Sequence, residues 1–340
     1  MVKRLNWIDS SKGILIILVV IGHIAYWGQK YGHTSAYDFV ATFNFALLPY
    51  YMPAFFIITG FVANFNMPFF KFFKKNFLSL IVPNIFLGTI LNYWLKLFLN
   101  AGLNYSNFLN FDYVGLFVYG GSWFLSALFI SKLIYWLYEK YFRRNCFLDL
   151  LFFSFIFLSG VILYNYKIIN IWSYQHGLIL TPFLYIGRKM RENEHFVLKY
   201  KKFYLYAGGA LFIVMFLMQY YEFKYPYINS IPYIPLKSCI VIFPISIIGT
   251  TIIFLISQMI HNCNWLINTG KHSLNIYLLH SSIAIFLLKH SLHIIDNSSA
   301  LMLRGFVAII IIFLTILICV LLDIFIDKHF PVLKGKYHIA

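Results

Sequence analysis

Charge is scarce in this chain. Asp, Glu, Lys and Arg make up only 11% of its 340 residues, against about 25% in soluble domains. That deficit excludes an ordinary soluble domain. With 61% hydrophobic residues and a mean hydropathy of +0.76, the chain reads as a polytopic membrane protein. Cysteine is scarce too. Cys146, Cys239, Cys263 and Cys319 have no paired spacing and lie in or beside apolar runs, which excludes a disulfide framework and leaves them as small core residues. No cluster has metal-ligand spacing, so no metal is expected. A Gly-rich phosphate loop and a Gly-x-Ser-x-Gly elbow are both missing. The net charge of +16 does not indicate nucleic acid, because its basic residues fall between apolar runs rather than on one folded surface.

What the chain does have is apolar helices. The expected fold is all-α, with about ten transmembrane spans at roughly 12–29, 41–65, 77–99, 122–142, 146–165, 172–189, 203–221, 236–259, 266–289 and 301–326. Residues 1–340 form one transmembrane domain in this reading, with no appended soluble domain and no internal repeat. Met1-Val2-Lys3-Arg4 has the look of a signal-peptide start. No small-residue cleavage site follows, so the first helix is expected to be retained. Basic residues recur on alternate connections: Lys3 and Arg4; Lys71, Lys74 and Lys75; Lys140, Arg143 and Arg144; Arg188 to Lys202; Lys328, Lys334 and Lys336. The bias of Lys and Arg towards the cytoplasm then places both termini there. The opposite loops, such as Asn104-Tyr105-Ser106-Asn107 and Trp172-Ser173-Tyr174-Gln175-His176, are aromatic and amide-rich. That composition suits an interfacial belt and a carbohydrate equally.

Ionisable residues inside such segments mark candidate sites, because hydrocarbon tolerates them only with a partner or a wet cavity. His23 lies deep in the first span and suits a general base, since imidazole titrates near neutrality. Lys12 lies eleven residues before it. That spacing closes three helical turns to within about 20° and spans about 16 Å, so the two share a face without meeting. Asp9 is one turn before Lys12 and is in place to pair with it. Pro53 breaks the helical bond ladder in the second span, and Gly60 permits close helix approach. Gly120-Gly121-Ser122-Trp123 opens the fourth span, which also carries Lys132; Trp123 by default is an interface anchor. Ser273, Tyr277 and His280 follow i, i+4, i+7 in the ninth span and form a polar stripe.

These pieces together resemble the acyltransferase-3 family of bacterial membrane O-acyltransferases, and within it the fucose 4-O-acetylase-related branch. Lys12-x10-His23 is similar to the family's basic-x10-His motif. Met52-Pro53-Ala54-Phe55-Phe56-Ile57-Ile58-Thr59-Gly60, Ser122-Trp123-Phe124-Leu125, Pro182-Phe183-x-x-x-Gly187 and Gly270-x-x-Ser273-x-x-Ile276-Tyr277-x-x-His280 resemble later elements in order. The resemblance implies transfer of an acyl group, usually acetyl, from cytoplasmic acyl-CoA to a hydroxyl of a cell-surface glycan or its lipid-linked precursor. It implies a multi-pass protein of the bacterial inner membrane in which His23 and Lys12 are essential. One departure stands out: Asn76 and Ser79 occupy positions where the family tends to carry Arg, although Lys74 and Lys75 precede them.

On this reading acetyl-CoA is the co-substrate. Its phosphates meet Lys74, Lys75, Arg143, Arg144 and Arg188, and Lys12 holds the donor's phosphate or pantetheine end. Ser122, Trp123, Tyr277, His280 and Asp9 face the substrate, with Ser122, Trp123 and His280 lining the acceptor side or donating to the oxyanion. Two other readings use the same residues. A transporter or flippase for a glycan or lipid-linked sugar accommodates mid-membrane His and Lys and a kinked helix. A small-molecule acyltransferase of the same fold differs only in its acceptor.

Overall fold

A computed structural model of the chain describes residues 5–31, 51–99, 122–143, 145–166, 171–223, 236–296 and 301–335. Every regular element among them is helical. The main helices are α1 (Asn6–Tyr31), α2 (Tyr51–Val62), α3 (Phe69–Phe98), α4 (Trp123–Leu137), α5 (Cys146–Asn165), α6 (Tyr174–Glu192), α7 (Lys201–Phe223), α8 (Leu236–Met259), α9 (Asn264–Lys271), α10 (Ser273–Asp296) and α11 (Leu301–His329). Four stretches among the described residues are long and apolar enough to cross a bilayer by themselves: Asn6–Gly28, Phe69–Phe98, Cys146–Asn165 and Gly305–His329.

The helix ends sort into a basic end and an opposite end. The start of α1 meets the ends of α2 and α8 where Trp7 packs edge-on against Phe61 and Phe254. Arg191 at the end of α6 donates to the Phe61 carbonyl at 3.0 Å. Arg143, just past α4, pairs with Glu192 of α6 at 2.7 Å. At the same end Asp323 of α11, 2% exposed, accepts from His272, from Asn275 and from Lys334. A buried carboxylate is tolerated only with such a full set of partners. Here it ties the start of α10 to the end of α11 and to the turn Pro331–Lys334 behind it.

Two elements differ from the sequence expectation. The ninth span does not run unbroken from residue 266: the chain breaks at His272, leaving the short α9 and a separate α10. The physical reason lies in Gly270. A Cβ built there would stand 1.7 Å from the Asp9 carbonyl oxygen, so α9 touches α1 backbone to backbone and cannot continue in line as α10. Gly270→Ala therefore forces α9 off α1. We expect a loss of about 3 kcal/mol, as for overpacking in a tight core, read as a lowered melting temperature of the detergent-solubilised protein; an unchanged melting curve would refute this contact. The cysteines are the second difference. Cys319 is in the core, but Cys146 and Cys263 are exposed at the starts of α5 and α9.

Gly60 brings α2 onto α6 as its residue type suggests, since a Cβ there would lie 2.0 Å from the Leu184 carbonyl oxygen. α3 is irregular. It widens into π-helical turns over Phe77–Ile81 and Asn84–Leu91, with Pro83 between them. Proline has no N–H to give the helical ladder, and π turns often accompany functional sites. The widened turn directs Asn84 at the start of α4. That start lies deep: α3 and α10 run well past its level, to Phe98 and Asp296.

Candidate active site

The recess at the start of α4 is a cavity of about 210 Å³. His23 and Trp27 of α1, Met52 of α2, Gly88 and Asn92 of α3, Ser122 and Trp123 of α4, and Tyr277, Leu278, His280 and Ser281 of α10 line it. Five elements far apart in sequence thus converge on one polar pocket in an apolar bundle.

Both histidines are held the same way. His23 Nδ1 lies 2.9 Å from the Val19 carbonyl one turn back. His280 Nδ1 lies 2.9 Å from the Ile276 carbonyl and 2.8 Å from that of Tyr277. A carbonyl only accepts, so each Nδ1 carries the proton and donates. Each Nε2 is therefore left with its lone pair, the atom a general base needs. The two rings stand 4.9 Å apart at 61°, and Trp27 flanks both at 5.2 and 6.0 Å.

Across the cavity, Asn84 clamps the start of α4. Its side-chain amide donates to the Ser122 carbonyl at 2.9 Å and to Ser126 Oγ at 3.1 Å, while its oxygen accepts from the Ser122 N–H at 2.9 Å. Ser122 Oγ and the Tyr277 hydroxyl are 2.8 Å apart. Either hydroxyl can be the donor of that bond, and it uses one of the pair's two hydroxyl hydrogens. The pocket therefore sets the His23 imidazole on one wall against the Ser122–Tyr277 hydroxyl pair on the other, while the Nε2 of His280 is enclosed by protein.

The structure separates the remaining sequence candidates from this pocket. Lys12 does not line it and pairs instead with Asp9 at 3.6 Å. Asp9 is 2% exposed, under α9, and also lies outside the cavity lining. Lys74 and Lys75 are exposed at the basic end on α3. Arg143 and Arg188 both converge on Glu192, at 2.7 and 3.3 Å, and Arg143 also binds Glu139. Arg144 lies outside the described residues. Asn76 is on the buried face of α3, its amide donating to the Phe72 carbonyl at 2.8 Å.

Sequence reasoning missed Trp27, Asn84 and Asn92. A lone amide inside an apolar run was the available signal for both Asn84 and Asn92. Nothing in the sequence, however, says that Asn84 braces residue 122 or that Ser281 and Ser282 donate to Asn92.

Residues 5–324, nearly the whole chain, match the family model of an acyltransferase domain. With the long apolar helices, this defines a membrane acyltransferase. The chain belongs to the acyltransferase-3 family. No curated protein and no solved structure matches it.

Proposed function

We propose that the protein moves an acetyl group from acetyl-CoA to a hydroxyl of a cell-surface polysaccharide or its lipid-linked precursor, in the inner membrane of a bacterium. The observation that carries this reading is the pairing, in one cavity, of a proton-accepting His23 Nε2 with a hydroxyl donor from Ser122 and Tyr277. Those are the two groups that acyl transfer to an alcohol requires.

The step balances as follows. His23 Nε2 takes the proton from the acceptor hydroxyl as its oxygen attacks the thioester carbonyl carbon. The carbonyl oxygen gains charge and accepts from the Ser122–Tyr277 donor. The tetrahedral species then expels the CoA sulfur, which takes the proton from His23 and leaves as the thiol. The ester stays on the acceptor.

Acyl-CoA enters from the basic end in this proposal. Lys74 and Lys75 are among the exposed cations there, with Arg144 as a third candidate, whereas Arg143 and Arg188 are already engaged by Glu192. Lys12, about 16 Å along α1 from His23, meets the phosphate or pantetheine end of the donor. Ten spans with both termini in the cytoplasm, and a place in the fucose 4-O-acetylase-related branch, belong to the same proposal.

Deleting the gene is the direct test. Mass spectrometry of the surface glycan should show loss of its acetyl esters and their return on complementation with the wild-type gene. A glycan that keeps its esters but no longer reaches the surface would overturn the proposal in favour of a flippase.

A further inference from the structure

Lys132 is the ionisable residue of α4 that the proposed chemistry leaves unused. It lies on the inward stripe of that helix, where Leu125, Leu128, Phe129, Tyr135 and Trp136 surround it at spacings of three and four. Those five are buried. Phe129 and Trp136 pack on Phe73 and Phe69 of α3, and Tyr135 packs on Phe65 beyond the end of α2. Lys132, in contrast, is only half-buried. Its neighbours on the stripe face other helices, so the surface it keeps is turned to the inside of the bundle rather than to lipid. No carboxylate or hydrogen-bond acceptor among the described residues pairs with it. The charge that reaches it is a like one, from Lys75 of α3 at the basic end. A lysine without a partner inside an apolar bundle is costly, and Leu or Met would fill the stripe without that cost. What the position lacks is an anion.

Its depth says which anion. Ser122, at the start of α4, lines the cavity. Lys132 is ten residues on, about 15 Å towards the basic end, and side chains on a helix lean back towards its start. The pantetheine arm of CoA, from the thioester sulfur to the first phosphate, is about as long as four extended residues, ~14 Å. A thioester standing at the Ser122–Tyr277 pair therefore brings that phosphate to the level of Lys132. Lys12 stands at a similar depth on α1, about 16 Å from His23, but it already shares Asp9. We infer that Lys132 binds the phosphate that ends the pantetheine arm, and that by holding it Lys132 sets how deep the thioester enters the cavity. This deepens the transferase reading above and rests on it. A phosphate there meets a cation that has no other partner, in a charge-assisted hydrogen bond. Lys132 is in this sense a donor-binding residue that takes no part in proton transfer.

The test uses the full-length protein in membranes from a strain deleted for the gene and complemented with each variant, so that the strain's own glycan is the acceptor. Three radiolabelled donors are compared. They are acetyl-CoA, acetyl-phosphopantetheine, which ends at the phosphate in question, and acetyl-pantetheine, which lacks it. Transfer that survives His23→Ala is subtracted. The wild type should favour acetyl-phosphopantetheine over acetyl-pantetheine in kcat/KM by about tenfold or more, the scale of one charge-assisted hydrogen bond. Lys132→Met should bring that ratio close to one, chiefly by raising KM for the phosphorylated donors, acetyl-CoA included. Lys132→Arg, which keeps the charge, should restore part of it. A wild-type ratio near one, or a ratio that Lys132→Met leaves unchanged, would overturn the inference. So would equal loss of transfer from all three donors in both variants, which would make Lys132 a packing residue. If no donor supports transfer that depends on His23, the transferase reading itself falls, and this inference with it.

Discussion

Replacing His23 with alanine should lower acetyl transfer to the native glycan by about a thousandfold, the range expected when a positioned general base is removed. Nothing else in the cavity is placed to substitute. His280 presents the other nitrogen lone pair, but its ring belongs to a different helix, and its Nε2 is fully enclosed by protein. His23, in contrast, is half-buried with its Nε2 on the cavity side. The loss should fall on kcat rather than KM, since the ring acts on a proton in flight rather than on the resting acceptor. The variant should still insert and purify normally, because the packing around α1 rests on Leu15, Ile16, Val19 and Val20, all fully buried. Acetyl incorporation by membranes carrying each variant, normalised to protein amount, reads the effect. Transfer within a factor of about three of wild type would remove the assignment, since that is below any general-base contribution.

The double variant Ser122→Ala with Tyr277→Phe should lower kcat by about a hundredfold, the scale for losing an oxyanion donor. Each single change should cost far less, under about tenfold. The reason is the hydrogen count of the pair. In the wild type one hydroxyl hydrogen is consumed between Ser122 and Tyr277, and in our proposal the other serves the oxyanion. When either hydroxyl is removed, the survivor is released from its partner and can turn its hydrogen to the substrate. Only the double variant leaves the oxyanion without a side-chain donor. The non-additivity is the signature of groups acting as a unit. Single variants that each match the double would mean that the pair only braces α4. A double variant with full activity would place the oxyanion elsewhere in the cavity. Asn84 is a useful control, because it holds Ser122 through backbone and side chain without facing the reaction.

The resemblance in sequence was strong enough to point to His23, Ser122, Trp123, Tyr277 and His280, and the fold brings these five to one cavity. It did not separate them from Lys12 and Asp9. Their helical spacing suggested a shared face with His23, and along a straight helix that is correct. What spacing cannot tell is where a cavity begins and ends along that face. Here α9 closes over the first turns of α1 through Gly270, and His23 opens onto the recess higher up. Arg143 and Arg188 show the same limit. As sequence they were two basic residues in separate connections; as structure they share one carboxylate, Glu192. The break at His272 was hidden because Trp265 to His280 reads as one amphipathic run, and only the backbone contact at Gly270 interrupts it.

The membrane nature of the chain, its helical class and its family follow from local terms that add along the sequence. Apolar transfer energy accumulates residue by residue, backbone groups in hydrocarbon must bond within their own segment, and motif spacing survives without any contact. The composition of the pocket obeys a different physics. Ser122 and Tyr277 are 155 positions apart and meet at 2.8 Å, and His23 and His280 come from helices at opposite ends of the chain. Which polar groups share a cavity depends on how rigid helices pack, on where a glycine lets two backbones touch, and on where a π turn aims one amide. Those are properties of three-dimensional contact, and the tertiary structure alone decided them.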